Sequence, residues 1–194
     1  MQKLMHWESD APDGQAHEEA RLLLLARDEP TAFAPLYERY FPRIYTYCLR
    51  RVGSNEEAED LTSLVFTRAL TNIGSYRGGS VVAWLFRIAH NAVANHLRDR
   101  RPQLSLDTAA RPLSSDDLSD GLVRAEERRQ LARLLAALPN EQREIVLLRL
   151  LGELTAKEIG AVIGKREGAV RVALHRIVRG LRAAYHQANE EGIR

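Results

Sequence analysis

Apolar residues recur along this 194-residue chain with the period of an α-helix. In the clearest run they are three or four positions apart, which places them on one helix face: Phe33, Leu36, Tyr37, Tyr40, Phe41, Ile44 and Cys48. Pro42 falls inside this run, so we expect a kink or a break there, because proline cannot donate the helical hydrogen bond. No segment shows a sustained period of two. The pattern predicts an all-α protein.

Helix start signals and glycines divide the first half of the chain. Ser54-Asn-Glu-Glu57 has the form of a capping box, in which the first and last side chains each bind the other's backbone N–H. It opens a helix that continues through 73. A Gly-bearing loop over 76–80 then precedes a helix from 81 to about 101.

The second half ends in the pattern of a helix-turn-helix. A stripe of leucines over 131–138 and a helix over about 141–151 come first. Thr155-Ala-Lys-Glu158 is a second capping box and opens a short helix. After a turn at 165–168, a longer helix runs over about 169–184. Two helices joined by a short Gly-bearing turn form the motif whose second helix enters the major groove of DNA.

The two halves have differently built cores. Ten of the twelve aromatic residues lie between 33 and 86, whereas the second half relies on aliphatic residues. The apolar period is lost in between, in a stretch rich in Pro, Ser and Asp, which is the composition of a flexible linker. We therefore predict two small helical domains, with these boundaries: an acidic tail over 1–20, a first domain over 21–101, an acidic linker over 102–122, a helix-turn-helix domain over 123–185 and a tail over 186–194.

Charge is segregated along the chain although the total is only +2. The four successive segments 1–20, 21–101, 102–122 and 123–194 carry net charges of −4, +4, −3 and +5. Of the 28 basic residues, 25 are arginine, which suits bidentate contacts to phosphates and base edges, although a GC-rich genome gives the same bias. The charge distribution therefore indicates two basic domains joined by an acidic strip.

The last helix carries its basic residues opposite its apolar stripe. Six basic residues and one acidic residue lie between Lys165 and Arg182, whereas a merely solvated face, which is the alternative, usually carries more acids. The residues expected to contact duplex DNA are Arg166, Arg171, His175, Arg176 and Arg179. Arg171 and Arg176 suit base edges, while Arg166 and Arg179 suit phosphates. For His175, base contact, phosphate contact and simple packing all remain open.

The first domain carries a surface suited to single-stranded nucleic acid. Aromatic rings can stack bases, amides can read base edges and arginines can hold the backbone. The candidate residues on the 81–101 helix and the loop before it are Tyr76, Arg77, Trp84, Arg87, Asn91, Asn95 and Arg98. For Trp84, a place in the core is the stronger reading, and His96 falls on the apolar side of the helix.

Several classes of protein do not fit the composition. A single cysteine and dispersed histidines argue against a disulfide scaffold and a metal site. The apolar run at 22–26 is too short to span a bilayer, and the N-terminus is unlike a secretory signal, so we expect no membrane insertion and a cytoplasmic location. We recognise no nucleophile–base pair and no phosphate loop, so no catalytic residue and no cofactor is expected.

Short segments in both domains resemble a known family. Those in the first domain are Ala32–Arg39, Glu56–Leu61, Val65-Phe66, Ala83–Asn91 and Leu97-Arg98. Those in the second are Leu138-Pro139, Arg143-Glu144, Glu158-Ile159 and Glu167–Arg171. They are similar to regions 2 and 4 of bacterial RNA polymerase sigma factors, and most similar to the extracytoplasmic-function (ECF) group.

The resemblance implies a non-enzymatic initiation factor that binds core RNA polymerase and promoter DNA. The second domain would bind the −35 element as duplex, and the first would open the −10 element and hold its non-template bases. The residues implied in polymerase binding are Asp60, Leu61, Leu64 and Phe66. An anti-sigma factor is a common partner in the family, and the sequence leaves open whether one exists here.

The chain departs from the family pattern at two places. Ser63-Leu64 stands where the family often has Gln-Glu, so the polymerase contact is expected to differ in detail. Lys165-Arg166 stands where an apolar residue and a capping serine are common, so the recognition helix loses that cap.

One other class of function competes with this reading. A two-domain transcriptional regulator would use the same helix-turn-helix to bind an operator without polymerase. It would bind palindromic duplex tightly by itself, whereas a sigma factor needs core polymerase.

Overall fold

The computed structural model describes residues 13–100, 130 and 132–191, and within this part of the chain every regular element is helical. The all-α prediction is confirmed. The α-helices named below are α1 Asp13–Leu25, α2 Ala34–Val52, α3 Asn55–Thr71, α4 Val81–Arg100, α5 Asn140–Leu151, α6 Ala156–Ile163 and α7 Glu167–Glu191, and residues 132–136 are helical as well. Short 3₁₀ turns occupy Pro30–Phe33 and Ile73–Ser75. The predicted linker over 102–122 lies outside the described residues.

Helices α1 to α4 form the N-terminal domain around an aromatic core. Helices α2, α3 and α4 all pack on one another. Tyr40, Tyr47 and Phe86 are among the largest fully buried side chains, and the rings of Tyr47 and Phe86 meet edge to face at 5.5 Å. Because aromatic rings bury a large area each, they give a domain of this size enough core to fold.

Residues 13–20 belong to α1, although the sequence predicts a tail over 1–20. Leu23 of this helix is fully buried. Glu19 is 4% exposed and accepts hydrogen bonds from Arg39 on α2 at 2.7 Å and from Gln15 at 3.0 Å. The buried Glu19, paired with Arg39, thus holds α1 against α2. The acidic composition of this segment gave no indication of a packed helix.

Helix α2 runs without a break through Pro42. Of the expected kink or break, the break does not occur, because the hydrogen bond that proline cannot make concerns the carbonyl of Glu38, an exposed residue to which water has access. Buried Tyr40 and Ile44 hold the helix on the core on both sides of the proline.

The two predicted capping boxes differ in the structure. Ser54 caps α3, accepting from the N–H of Glu57 at 3.4 Å, but the Glu57 carboxylate turns to Arg100 on α4 at 2.7 Å. The box at α6 is complete, since Thr155 and Glu158 each bind the other's backbone N–H. The Ser54 box therefore begins α3, and its Glu57 also ties α3 to α4.

Helices α5 to α7 form the C-terminal domain, and α6 and α7 build the helix-turn-helix. Gly164 ends α6 in the left-handed conformation at φ 72°. The turn then passes so close to Gly160 that a Cβ there would lie 2.5 Å from the carbonyl oxygen of Lys165. Helix α7 continues to Glu191, so residues 186–191 are helical where a tail is predicted.

The two domains are in direct contact. Helix α5 packs on α2, and α6 packs on α4. Six consecutive residues of α5 are buried, from Glu144 to Arg149. Since successive residues point about 100° apart around a helix, this run is covered on every side. Helix α5 is therefore enclosed by its own domain and by the N-terminal domain.

Candidate nucleic-acid interface

All five residues predicted to contact duplex DNA are exposed. We call Arg166, Arg171, His175, Arg176 and Arg179 the recognition face. On the other side of α7, Val170, Ile177 and Leu181 are at most 4% exposed, where the helix packs on α5 and α6. Packing of the apolar stripe thus fixes the orientation in which the basic side chains leave the domain.

Acidic residues hold two cations near the helix-turn-helix turn. Arg171 pairs with Glu167 one turn earlier on α7, and Lys165 pairs with Glu141 of α5 at 2.6 Å. The ion pairs orient these side chains in the absence of DNA. Both are largely exposed, so a phosphate can compete for either cation.

Val172 is a candidate contact that sequence reasoning missed. Its side chain is 51% exposed, which is unusual for a large aliphatic residue in a packed helix. It lies three and four residues before His175 and Arg176, and residues with that spacing are neighbours on a helix surface. The sequence does contain a signal that could have identified Val172, because this residue lies outside the apolar stripe of α7.

A shallow pocket opens beside α4, between α3 and the 3₁₀ turn that follows it. Its volume is about 210 Å³, and the lining residues are Arg68, Asn72, Ser75, Ile88 and Asn91. One guanidinium, two amides, one hydroxyl and one aliphatic side chain offer the groups that recognise the edge and face of a nucleobase. Of these residues the sequence singled out Asn91 alone.

Tyr76 and Trp84 support this pocket more than they face solvent. Tyr76 is 8% exposed, and its hydroxyl donates to the carbonyl of Gly79 at 2.5 Å. Trp84 is half-buried, meets the Tyr76 ring edge to face at 5.8 Å and donates through Nε1 to Ser75 at 3.4 Å. The core interpretation of Trp84 is thus partly right, and the predicted platform role of Tyr76 would require its ring to leave the core.

Two arginines flank the 3₁₀ turn at the pocket. Arg77 is exposed and donates to the carbonyl of Gly74. The guanidinium of Arg27, which follows α1, lies 3.6 Å from where a Cβ on Gly74 would be. Arg27 was not predicted, because the fold that brings it here is not visible in the local sequence. Together they place positive charge on the rim.

The remaining predicted residues of α4 form an exposed row. Arg87, Asn91, Asn95 and Arg98 follow one another by four, four and three positions and so share one face. Arg98 donates to the Asn95 amide oxygen at 3.0 Å. The row extends from the pocket along α4. This is the arrangement needed to contact the sugar-phosphate backbone of a DNA strand whose base enters the pocket.

The four residues implied in polymerase binding divide into two pairs. Asp60 and Leu64 are exposed on α3, with Leu64 37% exposed. Leu61 and Phe66 are each 4% exposed and pack in the core, because they fall on the inner side of the helix. Exposed Tyr37 of α2 lies beside Phe66, with the two rings 4.7 Å apart.

Neither a metal site nor a membrane-spanning helix is found among the described residues. No group of three or more His, Cys, Asp or Glu side chains there is arranged to hold a metal ion. Over the same residues, no helix has an apolar stretch long enough to cross a membrane.

The two domains match two family models in the order in which they occur. Residues 36–103 match sigma-70 region 2, and residues 128–181 match sigma-70 region 4. The chain is also 32% identical over 160 residues to the ECF RNA polymerase sigma factor SigD of Mycobacterium tuberculosis, covering 78% of this chain and 76% of SigD. The chain belongs to the ECF group of RNA polymerase sigma factors. Sigma factors are not an enzyme family.

Other relatives of this ECF sigma factor are similar over the same region. It is 37% identical over 159 residues to BldN of Streptomyces coelicolor, covering 79% of this chain but only 60% of the length of BldN. It is 29% identical over 168 residues to SigW of Bacillus subtilis, covering 80% of this chain and 90% of SigW.

Solved structures share the fold of this sigma factor. CnrH, in complex with the cytosolic domain of CnrY, matches 88% of this chain with a TM-score of 0.65 and 21% identity, covering 98% of CnrH. RpoE of Bartonella quintana, in complex with the anti-sigma factor NepR, matches 79% with a TM-score of 0.69 and 18% identity, covering 96% of RpoE.

Proposed function

We propose that this sigma factor binds core RNA polymerase in the cytoplasm and directs transcription initiation at specific promoters. The observation that carries the proposal is the recognition face, five exposed basic residues opposite the buried stripe of α7. Together with the matches to regions 2 and 4, it supports a protein that reads duplex DNA with one domain and single-stranded DNA with the other.

The recognition face would read the −35 element in the major groove. Arg176 and Arg171 donate to guanine edges, each contact contributing about 1–3 kcal/mol of discrimination. Arg166 and Arg179 bind phosphates and give affinity that falls as salt rises. Val172, as an apolar side chain among cations, contacts a thymine methyl group.

The pocket beside α4 would hold a base of the −10 element on the non-template strand. Extruding a base from a duplex costs a few kcal/mol, so a pocket that binds the extruded base favours the melted promoter. Asn91 and Asn72 supply amides for the base edge, while Arg77 and Arg27 hold the flanking backbone.

The exposed side of α3 would contact the polymerase. Asp60, Leu64 and Tyr37 lie on this surface, where an acidic group stands among apolar side chains. Leu61 and Phe66 support the surface from inside. We extend the proposal to an anti-sigma factor, supported by a structure of the same fold that was solved in complex with the anti-sigma factor NepR.

Transcription with purified core polymerase tests the proposal on two templates. One is intact promoter duplex from upstream of the protein's own gene, and the other is the same promoter with its −10 element already melted. Arg176→Ala should lower transcription from the intact template at least tenfold and leave the melted template much less affected. Asn91→Ala should lower transcription from both, because it removes a contact to the extruded base.

Arg21→Ala is the matched control, since it removes an exposed arginine of α1 that belongs to neither surface and pairs with Glu18 on the same helix. It should transcribe both templates like the wild type. Absence of promoter-specific transcripts with core polymerase, combined with tight binding to palindromic duplex without polymerase, would instead identify an operator-binding regulator.

A further inference from the structure

Glu167 is an acidic residue in the part of the chain that approaches DNA. Between Lys165 and Arg182 the chain has six basic residues and only this one acidic residue. It is the first residue of α7, and its side chain is 42% exposed. A carboxylate at this place repels the phosphates that its neighbours attract. Its contribution must therefore be something other than attraction to the DNA backbone.

The carboxylate of Glu167 is bound to a residue of the recognition face. Its Oε1 accepts a hydrogen bond from Arg171, four residues later on α7. Among the described residues, its Oε2 accepts no hydrogen bond. An arginine has five N–H donors, so one that is bound to a carboxylate can still donate to a base. The ion pair thus presents donors and an acceptor side by side.

This ion pair stands at the end of α7 that reads bases. In a helix-turn-helix, the N-terminal residues of the second helix contact base edges in the major groove. Glu167, Arg171 and His175 follow one another at intervals of four and so form one row along the helix. Val170, in the same turn, is fully buried and fixes the orientation of the row. The row therefore begins with a carboxylate and a guanidinium at the base-reading end.

The major-groove edge of a G·C pair carries the complementary groups in the complementary order. Guanine offers two acceptors, N7 and O6, and cytosine offers its N4 amino donor next to them. A guanidinium can donate to both guanine acceptors while the carboxylate beside it accepts from the cytosine amino group. An A·T pair instead has its donor between two acceptors, so the same ion pair cannot satisfy all three groups.

Two structural effects also favour an acid at Glu167, and neither depends on the base sequence of the DNA. A carboxylate in the first turn of a helix interacts favourably with the helix dipole, and a pair at this spacing stabilises the helix slightly. Glu141 has both features, since it lies in the first turn of α5 and pairs with Lys165 at 2.6 Å. Its side chain is 60% exposed, but it is not on α7. Glu141 is therefore a matched control.

We propose that Glu167 is a base-reading residue. Together with Arg171 it recognises one G·C pair of the −35 element, and its carboxylate accepts a hydrogen bond from cytosine N4. The inference rests on the proposed function, because it requires the recognition face to bind promoter duplex. The two residues of one ion pair then read the two bases of one pair, each on its own strand.

Modified bases in the promoter test the contact directly. 7-Deazaguanine has a carbon in place of N7 and so removes an acceptor for Arg171. N4-Methylcytosine still pairs with guanine, but a methyl group replaces the amino hydrogen that faces the major groove. Each is placed in turn at every G·C pair of the −35 element, and binding of the complex with core polymerase is measured. At one pair, both modifications should weaken wild-type binding, the methyl group by about tenfold.

Two alanine variants separate base reading from helix stabilisation. Glu167→Ala should not respond to N4-methylcytosine at this pair, because the acceptor is gone, but it should still be weakened by 7-deazaguanine, because Arg171 remains. Glu141→Ala should respond to both modifications like the wild type. Thermal unfolding checks that each variant folds, and the wild-type response alone decides whether a contact to N4 exists.

Two results would overturn the inference. One is wild-type binding that ignores the methyl group at every cytosine of the −35 element. The other is equal sensitivity of the wild type and Glu167→Ala, which would leave Glu167 as a helix-stabilising residue. If the complex with core polymerase binds no unmodified promoter specifically, the proposed function itself fails, and this inference with it. The binding to unmodified DNA thus distinguishes the two failures.

Discussion

At the scale of single residues, Val172 offers a test of base reading that does not involve charge. Val172→Ala shortens the exposed aliphatic side chain that lies beside the recognition face. We expect the preference for thymine at one −35 position to fall about three- to tenfold, while the salt dependence stays unchanged. Transcription from a set of promoters, each with one −35 base replaced, measures this preference.

Arg179→Ala is the comparison for Val172→Ala, because it removes a phosphate contact. It should weaken binding to all promoters alike and make the affinity less dependent on salt. A uniform loss across promoters for Val172→Ala would show that Val172 contributes to folding or packing and not to base choice.

Cys48 gives a probe of the N-terminal domain. It is fully buried on α2, and burial raises the pKa of its thiol to about 11. Since the thiolate is the reactive form, roughly one thiol in a thousand is ionised at pH 8. We expect a thiol reagent to label the native protein at least a hundredfold more slowly than the protein in denaturant. Rapid labelling at pH 8 without denaturant would contradict this burial.

Residue types alone left open which of the proposed site residues contact DNA and which support the surface from inside. An aromatic residue beside glycines indicates either a stacking platform or a support, and burial makes Tyr76 a support. In the same way, the family pattern selects Leu61 and Phe66, but only the structure shows that they lie beneath the surface. Arg27 comes close to Gly74, beside the pocket, through tertiary packing, which local sequence cannot reveal.

At the scale of elements, the close approach at Gly160 fixes how α6 is joined to α7. Gly160→Ala would place a Cβ 2.5 Å from the backbone oxygen of Lys165, so the turn must open. We expect a loss of about 1–3 kcal/mol in the stability of the C-terminal domain, together with loss of transcription from promoters that depend on −35 recognition. Thermal unfolding and transcription measure the two effects.

Gly180→Ala is the control for the helix-turn-helix variant. Gly180 is exposed within α7, and a Cβ there meets nothing within 4 Å. Alanine favours the helix over glycine by roughly 0.5–1 kcal/mol, so this variant should be slightly more stable than the wild type. Equal destabilisation by both substitutions would contradict the steric argument.

The start of a helix could be predicted in full where its capping residues interact only with each other. Thr155 and Glu158 need only each other, and the structure contains their box. The Ser54 box is incomplete because Arg100, 43 residues from Glu57, binds its carboxylate. The helix is not broken at Pro42 for a related reason, since core packing on both sides of the proline outweighs the one missing hydrogen bond.

At the scale of the whole molecule, the contact between the two domains should depend on pH through Glu144, whose carboxylate lies among Tyr47, Arg51 and His90 of the N-terminal domain. Burial raises its pKa, but the His90 hydrogen bond, the Arg51 charge and the Tyr47 hydroxyl outweigh burial and hold the pKa below the ordinary 4.5. A carboxyl whose pKa is lower when the domains are in contact favours that contact above its ordinary pKa. The distance between spin labels at Glu59→Cys on α3 and Ala183→Cys on α7, two exposed positions, should therefore lengthen as pH falls below about 4.5.

Glu144→Gln should show no transition of this kind, because it has no carboxyl to protonate. Circular dichroism over the same pH range establishes that the helices remain folded. A wild-type distance that stays constant to the pH at which the domains themselves unfold would show that Glu144 does not control the contact.

The domain architecture could be predicted from charge and composition, but the contact between the domains could not. Net charges of opposite sign along the chain separate two basic domains from an acidic strip. Tyr47 and Glu144 are 97 residues apart, and each alone is an ordinary residue of an amphipathic helix. Complementarity between two helix faces exists only once both domains are folded.

The enclosure of α5 bears on how this protein can evolve. A helix at a surface has one side on which substitutions accumulate at little cost, but residues 144–149 have no such side. A change that suits packing within the C-terminal domain must also preserve the fit to α2. A substitution in residues 144–149 is thus coupled to a compensating substitution in α2, which lies about a hundred residues earlier in the chain. We expect these two segments to co-vary among relatives, although neither belongs to a DNA-binding surface.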